Sequence, residues 1–132
     1  MRMKVYTAGK LSDASMWRAL RDGWPEVTFT ARWPVCHVGT TPDSPAFATT
    51  FWDQDLADVS LADVVLIYCV STIDKFRGAL VEVGAGLALG KEIITVGEHP
   101  DYGTWQYHRN VHRVKDLKEA RQLLATMTLT LP

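Results

Sequence analysis

Cysteine, charge of one sign and long hydrophobic runs are all scarce in this sequence of 132 residues. Two cysteines, Cys36 and Cys69, do not make a disulfide framework. Lys and Arg number 14 against 15 Asp and Glu, so the chain lacks the basic character of proteins that bind nucleic acid polymers. The apolar runs 64–70 and 79–89 are interrupted or far shorter than the roughly 20 residues of a membrane span. No signal-peptide core precedes the turn at Gly9, and we expect a soluble, cytoplasmic protein.

What the sequence does contain is apolar material for one core, at 47% hydrophobic and 22% charged residues. This composition predicts a single domain over residues 1–132. Strands are predicted at 4–8, 27–30, 62–69, 92–96 and, at a sheet edge, 111–114, and helices at 14–21, 47–60, 78–89 and 116–125. The alternation predicts an α/β fold, a three-layer α/β/α sandwich of Rossmann- or flavodoxin-like type with a mostly parallel five-stranded sheet. Residues 31–46 are predicted to form a long loop.

Glu82 is the only polar side chain in the predicted helix 78–89. A helix that is apolar all round is expected to be buried, and a buried carboxylate is usually paired, shifted in pKa or functional. We place Glu82 in about the first turn, near the carboxyl edge of the sheet, where ligands of such sheets bind and the helix dipole favours an anion. A carboxylate that only caps its own helix or pairs with Arg77 remains the alternative.

Two glycines in the same helix, Gly84 and Gly86, each cost about 1 kcal/mol of helix stability relative to alanine. They indicate close approach of another backbone or helix, including one across a subunit interface. Phe51 and Trp52 add aromatic surface on the preceding helix. We therefore expect a homodimer, or a dimer of dimers, built on these two helices.

Asp53, Asp55 and Asp58 lie on the predicted helix 47–60, where Asp55 and Asp58 share a face because they are three residues apart. A solvated acidic face is the interpretation favoured for each of them. The spacing of Phe51, Leu56 and Val59 predicts that they form the buried face of this helix.

Metal-binding patterns are weak in this sequence. His108 and His112 have a zinc-like spacing, and Cys36 with His37 could complete a site in principle. Asn110 and the loop signals around it argue against a continuous helix there, so we predict no metal and no cofactor.

Three segments resemble the nucleoside 2-deoxyribosyltransferase superfamily, which includes the deoxynucleoside 5′-monophosphate N-glycosidases. They are Lys4–Gly9 (KVYTAG), 53–66 (DQDLADVSLADVVL) and 77–91 (RGALVEVGAGLALGK). The match spans most of residues 3–97. Its most specific part is the last segment, a helix with an embedded Glu followed by Gly-Lys and a strand.

This resemblance implies a role for four residues. Glu82 would attack the anomeric carbon of a 2-deoxyribose, Asp55 would hold the sugar hydroxyls, and Tyr6 would orient Glu82 or contact the sugar. The transferases usually carry Asp six residues before the nucleophile, where this chain has Phe76, so Asp74 becomes the candidate acid near the base. A carboxylate can stabilise or trap the oxocarbenium-like state of N-glycosidic cleavage.

A second group of candidates binds the rest of the substrate. Gly9, Lys10, Ser12 and Ser15 follow the first strand, where backbone N–H groups and hydroxyls could receive a 5′-phosphate, or where they could simply cap a helix. Gly78, at the start of the helix with the embedded Glu, is also assigned to substrate.

The resulting hypothesis is an enzyme that cleaves or exchanges the N-glycosidic bond of a 2′-deoxynucleoside or its 5′-monophosphate. Its partner is a small molecule, with no nucleic acid polymer and no membrane. Two alternatives stay open, namely a non-catalytic nucleotide-binding module of the same fold and a glycohydrolase of another N-glycoside such as a nicotinamide nucleotide.

Overall fold

The computed structural model describes residues 2–36, 45–70, 77–97 and 103–131. The strands are β1 Met3–Ala8, β2 Val27–Phe29, β3 Val64–Tyr68, β4 Glu92–Val96 and β5 Val111–Val114. The helices are α1 Ala14–Gly23, α2 Trp33–Cys36, α3 Pro45–Leu61, α4 Arg77–Ala88 and α5 Leu117–Thr128, with 3-10 turns at Leu11–Asp13 and Thr104–Tyr107.

The five strands form one parallel sheet in the order β2-β1-β3-β4-β5. This is the flavodoxin-like strand order, in which the chain reverses direction across the sheet between β1 and β3. The predicted fold class is therefore confirmed, including β5 as an edge strand. The central strands are nearly all apolar because helices cover both of their faces.

Helices α1 and α4 lie on opposite faces of the sheet. The ring of Trp17 in α1 packs edge-on against Tyr68, whereas α4 approaches Val65, and side chains three apart on a strand point to opposite faces. Helix α3 packs beside α4. Helix α5 reaches the end of α1, where its Arg121 lies over the ring of Trp24 and binds Glu26.

The segment after β2 is more ordered than the predicted loop 31–46. Trp33–Cys36 forms a short helix, and α3 begins at Pro45; residues 37–44 lie outside the described part of the chain. The predicted apolar face of α3 is wrong at Leu56, which is 38% exposed, and correct at Val59, which is buried. Asp55 and Asp58 occupy the buried face instead, and Asp58 is paired with a cation described below.

Helix α4 is not buried all round, contrary to the sequence-based expectation. Val81 is 53% exposed, and Gly84 lies on the same open side with no atom within 4 Å of the position of a Cβ. Gly86 faces the sheet, where a Cβ would lie 2.8 Å from Val65 Cγ2 and 3.2 Å from Ile93 Cδ1. Gly86 therefore allows α4 to pack closely on side chains of the sheet within the chain, rather than on another backbone or helix, and this does not explain Gly84.

Two further findings concern the described ranges alone. No helix in them has the length and apolar character needed to cross a membrane. Cys69, directly after β3, is buried and is not part of a disulfide.

Candidate active site

Tyr6 and Glu82 meet where β1 passes beneath α4. The Tyr6 hydroxyl donates a hydrogen bond to Glu82 Oε2, and both residues are buried. The partner of Glu82 is thus Tyr6 rather than Arg77, which is exposed at the start of the helix. Glu82 is the sixth residue of α4 and lies in the second turn, one turn deeper than predicted, where the helix dipole contributes less.

Burial dominates the protonation of this pair. It raises the pKa of Glu82 to about 8, with the hydrogen bond from Tyr6 lowering that value and the nearby charge of Asp55 raising it. Burial, followed by the charge of Glu82, raises the pKa of Tyr6 far above its usual range. Tyr6 therefore keeps its proton at all ordinary pH values, and Glu82 is the group that titrates.

Asp55 on α3 is a second buried acid, at 9% exposure. Burial, and then the charge of Asp58, raises its pKa to about 7, while Arg32 acts in the opposite direction. Asp55 in turn acts electrostatically on Glu82 and Tyr6. Two acids and a phenol with coupled charges thus lie beside the switch point between β1 and β3, where doubly wound sheets bind ligands.

Asp58 forms an ion pair that the sequence did not predict. Its carboxylate accepts from the Arg32 backbone N–H at 3.0 Å and from Nε and Nη2 of the guanidinium at 3.0 and 2.8 Å. The hydroxyl of Thr30 donates to the Asp58 carbonyl at 2.9 Å. The predicted solvated face is therefore wrong for Asp55 and Asp58, which are buried, and right for Asp53, which is exposed.

Hydrogen bonds hold the segment after β2 against the end of β1 and against α1. The Trp33 indole N–H donates to the Thr7 carbonyl at 2.7 Å, and Arg18 Nη1 donates to the Pro34 carbonyl at 2.8 Å. Neither Trp33 nor Arg18 was predicted to contribute here, and the only local signal is the pair Arg32-Trp33 soon after the short strand β2.

The proposed phosphate-binding residues follow β1 at the same edge. Ser12 and Ser15 are exposed, and Gly9 and Lys10 are partly buried. A Cβ on Gly9 would lie 3.1 Å from Trp17 Nε1, so a bulkier residue would crowd the indole. Asp13 is the N-cap of α1, and its side chain makes no capping hydrogen bond.

Gly78 lies one helical turn before Glu82, and Trp52 one turn before Asp55. A Cβ on Gly78 would be 3.5 Å from Cη2 of the Trp52 ring, so the indole packs at the start of α4. Asp74, the candidate acid, falls within 71–76 and lies outside the described residues.

His108 and His112 lie towards the opposite, amino edge of the sheet. His112 Nε2 lies 3.0 Å from Glu92 Oε2, beside a cavity of about 270 Å³ that is remote from Glu82. His108 Nδ1 accepts from the Asn110 backbone N–H. Among the described residues no group of three or more His, Cys, Asp or Glu could hold a metal ion; His37 and the Cys36 side chain are not described.

Solved structures of known proteins resemble this chain in fold. No protein-family model matches it, and no curated protein does. A 2-deoxyribosyltransferase from the psychrotolerant bacterium Bacillus psychrosaccharolyticus superposes with a TM-score of 0.68 at 18% identity, over 89% of this chain and 90% of its own. A CMP N-glycosidase from Clostridium botulinum gives 0.56 at 19% identity, over 93% and 98%. At the level of the fold, both bear out the resemblance drawn from the sequence.

Proposed function

We propose that this chain cleaves or exchanges the N-glycosidic bond of a 2′-deoxynucleoside or its 5′-monophosphate. The observation that carries the proposal is the buried Glu82 carboxyl, hydrogen-bonded by Tyr6 and electrostatically coupled to Asp55. Support also comes from the two structures of the same fold, whose names describe a transferase of 2-deoxyribosyl groups and an N-glycosidase of CMP.

In the proposed mechanism, an ionised Glu82 oxygen attacks C1′ of the sugar. The C1′–N bond breaks, its electron pair leaves with the base, and the base nitrogen takes up a proton, for which Asp74 is the proposed donor. The oxocarbenium-like state collapses to a glycosyl ester on Glu82. A second nucleophile then attacks C1′ and releases the Glu82 carboxylate. Attack by water gives hydrolysis, and attack by a second base gives transfer.

The remaining residues hold the substrate in this scheme. Asp55 accepts hydrogen bonds from sugar hydroxyls, and Tyr6 fixes the orientation of the nucleophile. The exposed hydroxyls of Ser12 and Ser15 and the backbone N–H groups near Gly9 and Lys10 offer donors to a 5′-phosphate. Gly78, one turn before Glu82 in α4, is the remaining residue assigned to the substrate.

A substrate panel tests the proposal directly. The protein is incubated with 2′-deoxynucleosides, ribonucleosides, their 5′-monophosphates and a nicotinamide nucleotide, each with and without a free acceptor base, and released base and new nucleoside are separated by chromatography. Release of base from a 2′-deoxy substrate is expected. Turnover of the nicotinamide nucleotide alone, or binding without turnover of any substrate, would contradict the proposal.

Tyr6→Phe is expected to displace the pH profile towards alkaline pH. The phenol stabilises the Glu82 carboxylate, so its removal raises the pKa of Glu82 above about 8 and reduces the ionised fraction at neutral pH. The measurement is kcat/KM against pH for the substrate found in the panel. Tyr107→Phe, at a tyrosine that is 72% exposed, is the matched control and should leave the profile in place. An unshifted profile for Tyr6→Phe would contradict the proposed role.

We also propose that the chain forms a homodimer, or a dimer of dimers, through the outer faces of α3 and α4. Leu56 and Val81 are exposed there, beside the open Gly84, and exposed apolar patches mark interfaces. Light scattering at micromolar concentration should give at least twice the chain mass of 14.8 kDa. Val81→Glu should yield monomers, whereas Leu129→Glu, at an equally apolar exposed position after α5, should not. A wild-type mass of 14.8 kDa would rule the dimer out.

A further inference from the structure

Two aspartates lie side by side on the buried face of α3. Asp55 and Asp58 are three residues apart, which places them on neighbouring turns of one helix face, and they are 9% and 2% exposed. Like charges in such a position disfavour each other's ionisation. A hydroxyl-binding role for Asp55 needs the ionised form, which accepts hydrogen bonds at both oxygens.

Arg32 provides the countercharge from another element. Its guanidinium reaches from the end of β2 and binds Asp58 through Nε and Nη2, while its backbone N–H binds Asp58 Oδ2. The Asp58 side chain is 3% exposed and that of Arg32 is 54% exposed, so the pair joins a buried anion to a cation at the surface. Thr30 ties the same strand end to the Asp58 carbonyl.

We propose that Arg32 and Asp58 are positioning residues that set the charge of Asp55. Arg32 neutralises Asp58 and so permits a second carboxylate to ionise on the same buried helix face. The functional meaning of this pair rests on the proposed sugar-binding role of Asp55, whereas the electrostatic coupling stands independently of any substrate.

Removal of each partner has an effect of opposite sign. Without Arg32, Asp55 faces an uncompensated negative charge, which makes its ionisation harder. Without the Asp58 charge, Asp55 loses its like-charged neighbour while Arg32 remains close, which makes ionisation easier. The other titratable groups that act on this cluster from packed elements are Tyr6 on β1 and Glu82 on α4. If the ion pair had a purely structural role, loss of Arg32 and loss of the Asp58 charge would change the ionisation of Asp55 in the same direction.

The test follows the side-chain carboxyl carbon of Asp55 by NMR in protein labelled with ¹³C at aspartate. All variants carry Glu82→Gln, so that Glu82 does not titrate, and the Asp55 signal is assigned by its loss in Asp55→Asn. Arg32→Met should raise the Asp55 midpoint, and Asp58→Asn should lower it, each by about one pH unit or more. Arg121→Gln breaks the exposed pair with Glu26 and should leave the midpoint unchanged.

Shifts of the same sign, or no shift, would overturn the proposal. Arg32→Lys keeps the positive charge, so the Asp55 midpoint in this variant should stay close to the midpoint in the protein with Arg32. If Arg32→Met does not fold, the Asp58→Asn midpoint decides, because a raised or unchanged value contradicts the coupling.

A kinetic measurement separates this inference from the proposed function. With Glu82 intact, Asp58→Asn and Arg32→Met should displace the acidic limb of the kcat/KM profile in opposite directions. Opposite NMR shifts without turnover of any substrate in the panel would leave the coupling established and the proposed reaction wrong. Turnover of a 2′-deoxy substrate with unshifted Asp55 midpoints would support the proposed reaction and contradict the coupling.

Discussion

Glu82→Gln is expected to lower turnover by several orders of magnitude in a protein that still folds. Gln keeps the shape of the side chain and can accept the hydrogen bond from Tyr6, but its amide does not attack C1′ to form the glycosyl ester. The measurement is kcat on the best substrate of the panel, with circular dichroism as the control for folding. Near-normal turnover by the folded variant would overturn the assignment of Glu82 as nucleophile.

The same substitution should stabilise the protein at alkaline pH. The pKa of Glu82 is about 8 in the folded state and close to its ordinary value when unfolded, so the folded state holds the proton more tightly. Between about pH 4.5 and 8 the wild type therefore loses stability as pH rises. Each pKa unit corresponds to about 1.4 kcal/mol, which makes the gain at pH 9 a few kcal/mol and the gain at pH 4 negligible.

Urea unfolding of wild type and variant at pH 4 and pH 9 measures this difference. Asp53→Asn removes an exposed carboxylate from α3 and is the control, because an exposed group contributes little pH-dependent stability. A Glu82→Gln variant whose stability parallels that of the wild type at both pH values would show that Glu82 is hydrated in solution.

Asp55→Ala is expected to reduce kcat/KM roughly 100-fold, the effect of a small misplacement of the sugar. It should also move the acidic limb of the pH profile to lower pH, because the charge of Asp55 raises the pKa of Glu82 and the nucleophile must be ionised. Asp53→Ala, two residues away on the exposed side of the same helix, should change neither quantity. If the two variants behaved alike, Asp55 would not contact the substrate.

The fold was largely predictable because its signals are local. The central strands are short apolar runs, and Gly90, with a φ of 74°, directly follows the predicted helix 78–89 and ends the turn after α4. Alternation of these elements was enough to predict the layers. The predicted strand 62–69 is longer than β3, which covers Val64–Tyr68. Ala62 and Cys69 are buried, and Asp63 accepts a hydrogen bond from the Lys4 backbone N–H, but all three lie outside the regular strand.

The charge arrangement at the site was less predictable. Nothing near Asp58 indicates a cation 26 residues earlier, so its spacing with Asp55 resembled an ordinary solvated face. Leu56 was wrongly predicted to be buried because its apolar character alone does not show which side of α3 faces the sheet. Glu82 was predicted as a site residue from its isolation in an apolar helix alone. Its partner Tyr6 was predicted only through the family resemblance.

The hydrogen bond between Tyr6 and Glu82 joins residues 76 positions apart in the chain, with β1, β3 and α4 all required to bring them together. Pairing of β1 with β3 closes a long stretch of chain, which is entropically costly and slow relative to local helix formation. Until that closure, Glu82 is an ordinary carboxylate in water with an ordinary affinity for protons. Partly folded and newly synthesised chains therefore lack the buried carboxyl with its raised pKa, and the proposed glycosidic chemistry requires α4 docked on the finished sheet.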